Sequence, residues 1–335
     1  MPTQICITVD IEFSIGGAFG APDLKQPIAV PAVTCPAGGR EHGLGFLIET
    51  LRAFGLSATF FVEALNASYF GDKPMGEIAE RIMKAGHDVQ LHLHPCWLHF
   101  RHSNWKEHLA YEPPNDSCAG RGDEELDEMI RLGIETFHRW GVPQPVAMRT
   151  GNLQADRAVY RAMARHGLRL ASNIACAICP PKDLGLRFLS GRHPVEGVVE
   201  LPVLTYTDFA IAGRRHRHNL TITGCSSREI AFLLDRAAAR DMRPIILLTH
   251  PFEFVNRRHE RFTRIRPHGT NQSRFAGLCR LIADNPRKFS VMTFARGMPG
   301  WIEATRTDDV ELRVPAWAAL GRVIIGQIDD RLRVR

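Results

Sequence analysis

Carboxylates and imidazoles in this sequence stand directly after short apolar runs. Asp10 and Glu12 close the first run, and His92 and His94 close a later one. Two histidines at this spacing on a strand point the same way, and with one carboxylate they form the ligand set of a catalytic zinc site that keeps a position open for water. A lone His-x-His pair arises easily in a chain with 15 histidines. The prediction of a metal site therefore depends largely on Asp10 and Glu12.

Two further polar residues occupy comparable positions. Arg149 and His250 each follow an apolar run. In parallel α/β folds the functional groups collect at the carboxyl ends of the strands, so we expect these side chains to converge with the first set. Structural alternatives stay open: Asp10 or Glu12 could cap the following turn, His94 could be a packed loop residue, His250 could be a core histidine, and Arg149 could pair with a structural carboxylate.

The elements that must position these residues alternate between strand and helix periodicity. Strands are predicted at residues 5–9, 57–62, 88–93, 146–149, 168–171, 198–203, 244–249 and 289–293. Helices are predicted at residues 43–54, 75–85, 124–140, 156–166, 227–240 and 273–285. This alternation implies a parallel sheet, open or closed into a barrel.

The carboxyl-terminal part has a different pattern. Short alternating runs at residues 310–314 and 322–328 are typical of an appended antiparallel hairpin. We therefore expect a catalytic α/β domain over residues 1–297 and a β-rich extension over residues 298–335. No linker rich in proline, glycine or serine separates them.

Composition fits a globular protein and argues against several classes. The chain has 335 residues, 44% hydrophobic and 23% charged, with a net charge of +6. Its densest basic segments, residues 214–217 and 257–266, lie in polar, loop-like stretches, which disfavours nucleic acid as a partner. Eight cysteines lack framework spacing, and Cys176 and Cys179 are interpreted as ordinary thiols. Because no signal peptide or long apolar segment is evident, we expect a cytoplasmic protein without membrane insertion, and homo-oligomerisation is left open.

Two motifs resemble a known family. The string Ala-Thr-Phe-Phe-Val at residues 58–62 and the string Gly-His-Asp-Val-Gln-Leu-His at residues 86–92 are similar to the ATFFV strand and the GHE-[IV]-x-x-H segment of the polysaccharide deacetylases (NodB homology, carbohydrate esterase family 4). The order of elements agrees from about residue 5 to residue 293. The resemblance implies a deformed (β/α) barrel, usually of seven strands, that holds one divalent metal. We expect zinc, with manganese, cobalt and iron(II) as alternatives.

The resemblance also implies a metal set. Asp10 matches the family's general base, Glu12 its carboxylate ligand and His92 its first histidine ligand. The second histidine would fall on Cys96, so this chain departs from the pattern. His94 is the substitute, and His99 is the reserve candidate.

The remaining roles concern the proton transfers and the substrate. Arg149 matches the arginine that orients the base, and His250 matches the general acid, which would protonate the departing amine. The family's Arg-Pro-Pro is Arg-Thr-Gly here, at residues 149–151. Asn152, Trp97 and Phe252 are substrate-binding candidates, although aromatic residues near a pocket mouth are as often packing residues.

Three hypotheses follow for function. The first is removal of an N-acyl group from an amino sugar or glycan precursor by metal-activated water. The second is hydrolysis of a small cyclic amide or ureide, allantoinase-like, on the same fold, which would need a compact pocket. The third is a catalytically inactive sugar-binding module.

Overall fold

The structure is a computed structural model, and it describes residues 1–211, 214–257, 262–303, 309–315 and 317–318. The strands are β1 (Thr3–Ile11), β2 (Pro36–Ala37), β3 (Arg40–Glu41), β4 (Thr59–Glu63), β5 (Asp88–Leu93), β6 (Ala147–Thr150), β7 (Leu170–Ala171), β8 (His193–Val195), β9 (Val198–Glu200), β10 (Thr205–Ile211), β11 (Arg214–Asn219), β12 (Ile245–Thr249), β13 (Val255–Arg257), β14 (Ile265–Pro267), β15 (Phe289–Val291) and β16 (Leu312–Arg313). The helices are α1 (Val30–Thr34), α2 (Leu44–Ala53), α3 (Ala67–Phe70), α4 (Lys73–Lys84), α5 (Trp105–His108), α6 (Asp123–Arg139), α7 (Arg157–Arg165), α8 (Ser227–Ala239), α9 (Gly269–Ala283) and α10 (Phe294–Glu303). Short 3₁₀ helices cover Pro95–Arg101, Gly151–Leu153, Leu184–Leu186 and Pro251–Phe254.

A nine-stranded sheet forms the centre of the fold. Its order is β12-β1-β4-β5-β6-β7-β9-β8, and β15 also pairs with β1. All of these pairings are parallel except that of β8 with β9. The carboxyl ends of the parallel strands therefore lie at one edge, and the predicted (β/α) barrel is confirmed.

The central strand β1 shows how the sequence builds this sheet. Ile5, Ile7 and Val9 belong to the large apolar cluster that the helices cover, whereas Cys6 belongs to a second cluster with residues of β4 and β12. Because side chains alternate across a strand, the second cluster lies on the other face of the sheet, together with Asp10. A strand that is buried on both faces reads as a nearly continuous apolar run, as this one does.

The helix α10 packs on that second cluster through Phe294 and Trp301. Phe294 lies edge-on to Phe61 of β4, with ring centroids 5.2 Å apart. Trp301 donates a hydrogen bond to Gln4 near the start of β1. The apolar packing therefore lies toward the amino ends of the strands, and the polar groups are left to the carboxyl ends.

Most predicted elements agree with the structure, but the basic segment at residues 214–217 does not. It was interpreted as loop-like, and it is part of β11, which pairs antiparallel with β10. The alternation of arginine and histidine there gave no apolar period, so the strand was missed. Arg215 and Arg217 both pair with Glu311, which compensates part of their charge.

The carboxyl-terminal segment combines helix and strand. The helix α10 runs across the expected boundary at residue 297, and β16 pairs parallel with β10. The predicted run at residues 322–328 lies outside the described residues. Within the described part of the chain, no helix has both the length and the apolar character that a membrane span requires.

Candidate metal centre and active site

The strand register brings the predicted site residues together. His92 on β5 stands opposite Glu63 on β4 and Arg149 on β6. On the other side of β4 lies β1, where Asp10 is in register with Phe61 of β4. Glu12 follows directly after the end of β1. These residues converge because parallel strands deliver their carboxyl ends to the same edge of the sheet.

Glu12, His92 and His94 form a three-residue donor set. Oε2 of Glu12 lies 2.7 Å from Nε2 of His94 and 3.6 Å from Nε2 of His92. One ligand atom from each of the three lies within 4.8 Å of the others. The two imidazole rings stand nearly perpendicular, with centroids 4.8 Å apart. Two imidazole nitrogens and one carboxylate oxygen are the ligand set of hydrolytic zinc sites.

The outer nitrogens of both histidines are held by oxygen acceptors. Nδ1 of His92 lies 2.9 Å from the carbonyl oxygen of Arg149, and Nδ1 of His94 lies 2.8 Å from Oδ2 of Asp116. A carbonyl oxygen and a carboxylate accept hydrogen bonds, so each Nδ1 carries the proton and each Nε2 presents its lone pair toward Glu12 when the ring is neutral. The residues present therefore fit a divalent metal ion.

The charges of Glu12, His94 and Asp116 shift the pKa of one another. Burial alone would raise the pKa of Glu12, but the charge of His94 and hydrogen bonds from both histidines hold that pKa well below its usual value. Burial opposes the charged form of His94, yet Glu12 and Asp116 raise its pKa well above the ordinary value. The pKa of Asp116 is lowered by its bond to His94, against the effect of burial. The carboxylates of Glu12 and Asp116 therefore stabilise a positive charge between them, which is what a cation-binding site requires.

Gly151 makes room for the His94 ring. A Cβ atom at position 151 would lie 2.5 Å from Nδ1 and 2.7 Å from Cγ of His94. An imidazole held on both nitrogens cannot move away without loss of those bonds. Glycine at position 151 and the observed position of the His94 ring are therefore sterically linked.

Glu63 anchors the backbone that carries His94. Its carboxylate accepts hydrogen bonds from the backbone N–H groups of Leu65, Asn66 and His94 at 2.8, 2.7 and 3.3 Å. Burial raises the pKa of Glu63 to about 7, although these bonds and His94 act in the opposite direction. Glu63 therefore fixes the turn after β4 against the end of β5.

Asp10 is held by a buried arginine. Nη1 of Arg149 donates to Oδ1 of Asp10 at 2.5 Å, and the two side chains are 0% and 5% exposed. The rest of the guanidinium donates to Ser172 and to Oγ1 of Thr8, and it stacks on Phe61 with 4.3 Å between Cζ and the ring centroid. This network fixes one carboxylate oxygen of Asp10 and leaves the other for chemistry.

The other Asp10 oxygen faces His250. Oδ2 lies 3.8 Å from Nε2 of His250, whose Nδ1 is 2.9 Å from Oε1 of Glu253. Oε2 of Glu253 also accepts from Thr249 at 2.6 Å. Burial opposes the charged imidazole, but Glu253 and Asp10 outweigh it and raise the pKa of His250 to about 9. His250 therefore carries a proton on Nε2 at neutral pH.

A cavity of about 220 Å³ opens beside this constellation. Glu12, His94 and Asp116 line one side, and Trp97 and Phe252 line another. Phe252 stacks on the His250 ring with centroids 4.9 Å apart and also lines the cavity. Trp97 is only 1% exposed and packs mainly into the core.

Other predicted residues lie apart from the donor set. Nε2 of His99 is bonded to the carbonyl oxygen of Trp105 at 2.8 Å, so the reserve candidate is engaged elsewhere. Asn152 is exposed and donates to Asp116 at 2.7 Å, which places it at the rim. Cys96 lies beside His94 and Asp116, and burial raises the pKa of its thiol far above the usual value.

Sequence reasoning missed two carboxylates that orient the histidines. Glu253 stands three residues after His250, and that spacing on a short turn could have identified it. Asp116 follows two prolines in a long loop, and no pattern in the sequence connects it with His94.

Comparisons with known proteins support the fold. No protein-family model matches the chain, and no curated protein matches it. A crystal structure of a proposed polysaccharide deacetylase from Mycobacterium smegmatis is similar, with a TM-score of 0.50, 18% sequence identity, and coverage of 94% of this chain and 96% of that one. A family 4 carbohydrate esterase from Streptomyces lividans in complex with acetate has a TM-score of 0.43 at 12% identity and coverage of 92% and 98%. A family 4 pseudoenzyme from Bacillus anthracis has a TM-score of 0.43 at 11% identity and coverage of 93% and 70%. The likeness to the Mycobacterium smegmatis structure shows that the chain has the fold of that protein.

Proposed function

We propose that the chain is a metal-dependent hydrolase that removes an N-acyl group from an amino sugar or glycan precursor. The observation that carries this proposal is the pairing of Asp10 with His250 across 3.8 Å, directly beside the Glu12, His92 and His94 set. A carboxylate and a protonated imidazole next to a cation site are the groups that amide hydrolysis requires.

The donor set would hold one divalent ion, with zinc as the expected metal because two of its three donors are imidazoles. Such an ion supplies Lewis acidity, which makes an amide carbonyl a better electrophile and water a better nucleophile. Asp116 and the Arg149 carbonyl keep the two imidazoles in the binding tautomer. Because residue 151 is glycine and has no Cβ atom, the His94 ring keeps the space that it needs.

The protein's own proton transfers follow from the contacts of Asp10 and His250. Arg149 fixes Oδ1 of Asp10, so Oδ2 is free to take a proton from the attacking water. Glu253 holds Nδ1 of His250, so Nε2 points into the site and carries the proton that the departing amine needs. The pair thus divides the two proton transfers, with the carboxylate as base and the imidazole as acid.

A second candidate is hydrolysis of a small cyclic amide or ureide, and the cavity favours it. Its volume of about 220 Å³ is below the roughly 300–1,000 Å³ of pockets for drug-sized ligands. A compact ring fits that space, and Phe252 offers a face for it. The same metal set and proton transfers serve both substrates.

Hydrolysis by zinc-reconstituted protein tests the proposal. An N-acetylated amino sugar releases acetate and a free amine, whereas a cyclic ureide opens to one product whose new carboxylate is measured. N-acetylated amino sugars and cyclic ureides are assayed with wild type, Asp10→Asn and the matched surface variant Asp23→Asn, whose side chain is 83% exposed. We expect Asp10→Asn to lose about 10²–10⁴-fold in kcat, as is usual for a general base, with its zinc content unchanged. The Asp23 variant should match wild type.

Other results point elsewhere. Wild-type turnover retained in Asp10→Asn would remove Asp10 as the base. Bound zinc and bound sugar without any turnover would favour the inactive sugar-binding module. Protein that binds no zinc would contradict the hydrolase assignment.

A further inference from the structure

A second cluster of metal-type donors lies on the hairpin of β10 and β11, apart from the strand-end site. Oδ1 of Asp208 is 2.8 Å from Nδ1 of His216, and Oδ2 of Asp208 is 3.4 Å from Nε2 of His218. One ligand atom from each residue lies within 4.8 Å of the others. None of the three belongs to the Glu12, His92 and His94 set.

The alternation of β11 sorts its charges onto two faces. Arg215 and Arg217 point to the side of Glu311, which pairs with both. His216 and His218, one residue out of step, point to the opposite side, where Asp208 lies. The guanidinium groups of Arg215 and Arg217 therefore lie off the face where a cation would bind.

A bulge aims the carboxylate at the histidines. The register of the hairpin shifts between Thr207 and Phe209, so Asp208 stands at a bulge of β10. Bulges of this kind redirect a side chain and recur near functional sites. The Phe209 ring stacks on the His216 imidazole at 4.5 Å and limits its rotation. Asp208 and Phe209 therefore both contact the His216 imidazole.

Burial supports a cation at this place. The Asp208 side chain is 0% exposed, whereas those of His216 and His218 are 49% and 29% exposed. A buried carboxylate needs positive charge, and the exposed outer side of the histidines leaves room for water as a further ligand. Donor atoms of a tetrahedral zinc site lie about 3.3 Å apart, given bonds of about 2.0 Å, which is close to the His218 to Asp208 separation of 3.4 Å. The His216 to Asp208 separation of 2.8 Å is that of a hydrogen bond and would widen on metal binding.

We infer that Asp208, His216 and His218 form a second binding site for a divalent transition-metal ion, with zinc as the favoured class. An ion there would link the two strands of the hairpin through three side chains. The inference does not depend on the proposed hydrolase activity, because the two sets share no residue.

Zinc stoichiometry tests the inference. Full-length protein is stripped with chelator, reloaded with Zn²⁺, freed of excess metal, and its zinc content per chain is measured by mass spectrometry. We expect two equivalents in wild type and one in His216→Asn/His218→Asn. The matched control Arg215→Gln/Arg217→Gln changes the same strand on its other face and should keep two.

The active-site variant His92→Asn/His94→Asn separates this inference from the proposed function, since it should keep the hairpin equivalent and lose the other. The inference is overturned if the hairpin variant keeps the wild-type count, or if the active-site variant binds no zinc while wild type binds one. The single variant His216→Asn changes a half-exposed side chain and gives the same comparison should the double variant misfold.

Discussion

Replacing Arg149 with methionine tests what the buried ion pair with Asp10 contributes to folding stability and what it contributes to turnover. The guanidinium makes four hydrogen bonds, at 2.5, 2.8, 2.9 and 3.0 Å, and is 0% exposed. Methionine fills a similar volume but cannot compensate the Asp10 carboxylate. Removing one partner of a buried pair costs about 3–5 kcal/mol of folding free energy, and loss of the donors to Ser172 and Thr8 acts in the same direction.

The measurement is urea unfolding followed by circular dichroism. We expect Arg149→Met to lower the free energy of unfolding by about 4 kcal/mol and to abolish turnover, because Asp10 would lose the donor that fixes its Oδ1 and orients its Oδ2. The double variant Asp10→Asn/Arg149→Met should recover part of the stability, since it leaves no carboxylate at position 10 without its arginine partner. The matched control is Arg101→Met in the surface pair with Glu128, both 50% exposed, where the cost should stay below about 1 kcal/mol.

The reasoning is refuted if Arg149→Met costs no more than the surface control. It is also refuted if the double variant is as unstable as the single one, because the cost would then not arise from the charge left on Asp10.

Three further predictions concern packing, the proton donor and acid stability. Gly151→Ala should reduce zinc content and turnover without unfolding the protein, because its Cβ would displace the His94 ring; unchanged zinc affinity would contradict this. Glu253→Gln should move the alkaline limb of the kcat profile to lower pH by roughly one unit, because burial disfavours charged His250 and Glu253 is the main group that raises its pKa to about 9; an unmoved limb would contradict the role of Glu253. Burial lowers the pKa of His87 to about 4 from 6.5, and neither of its ring nitrogens has a hydrogen-bond partner. The unfolded chain therefore gains this proton first, and stability present above pH 6.5 is lost as the pH falls toward 4. We expect His87→Leu to remove about 3 kcal/mol of that loss in urea titrations, and an identical pH slope in both proteins would contradict it.

The barrel could be predicted because its strands are buried on both faces. Such strands read as short apolar runs, and β5 was predicted within its observed bounds of residues 88–93. The polar residues at the strand ends then followed from topology alone, since parallel strands share one functional edge. Asp10, Glu12, His92 and Arg149 were found in this way.

Long-range contacts from loops could not be predicted. Asp116 reaches His94 from a loop 22 residues away, and no periodicity encodes that contact. The β11 strand was missed because arginine and histidine alternate along it, so its sequence shows no apolar period. The need for glycine at position 151 is equally invisible until the His94 ring is placed.

Anomalous diffraction at the zinc edge, from crystals of zinc-reconstituted protein, tests the central claim most directly. We expect a peak bounded by Oε2 of Glu12 and the Nε2 atoms of His92 and His94, with Asp10 and His250 beside it and not among the ligands. No anomalous density there, or density centred on His99, would contradict the account.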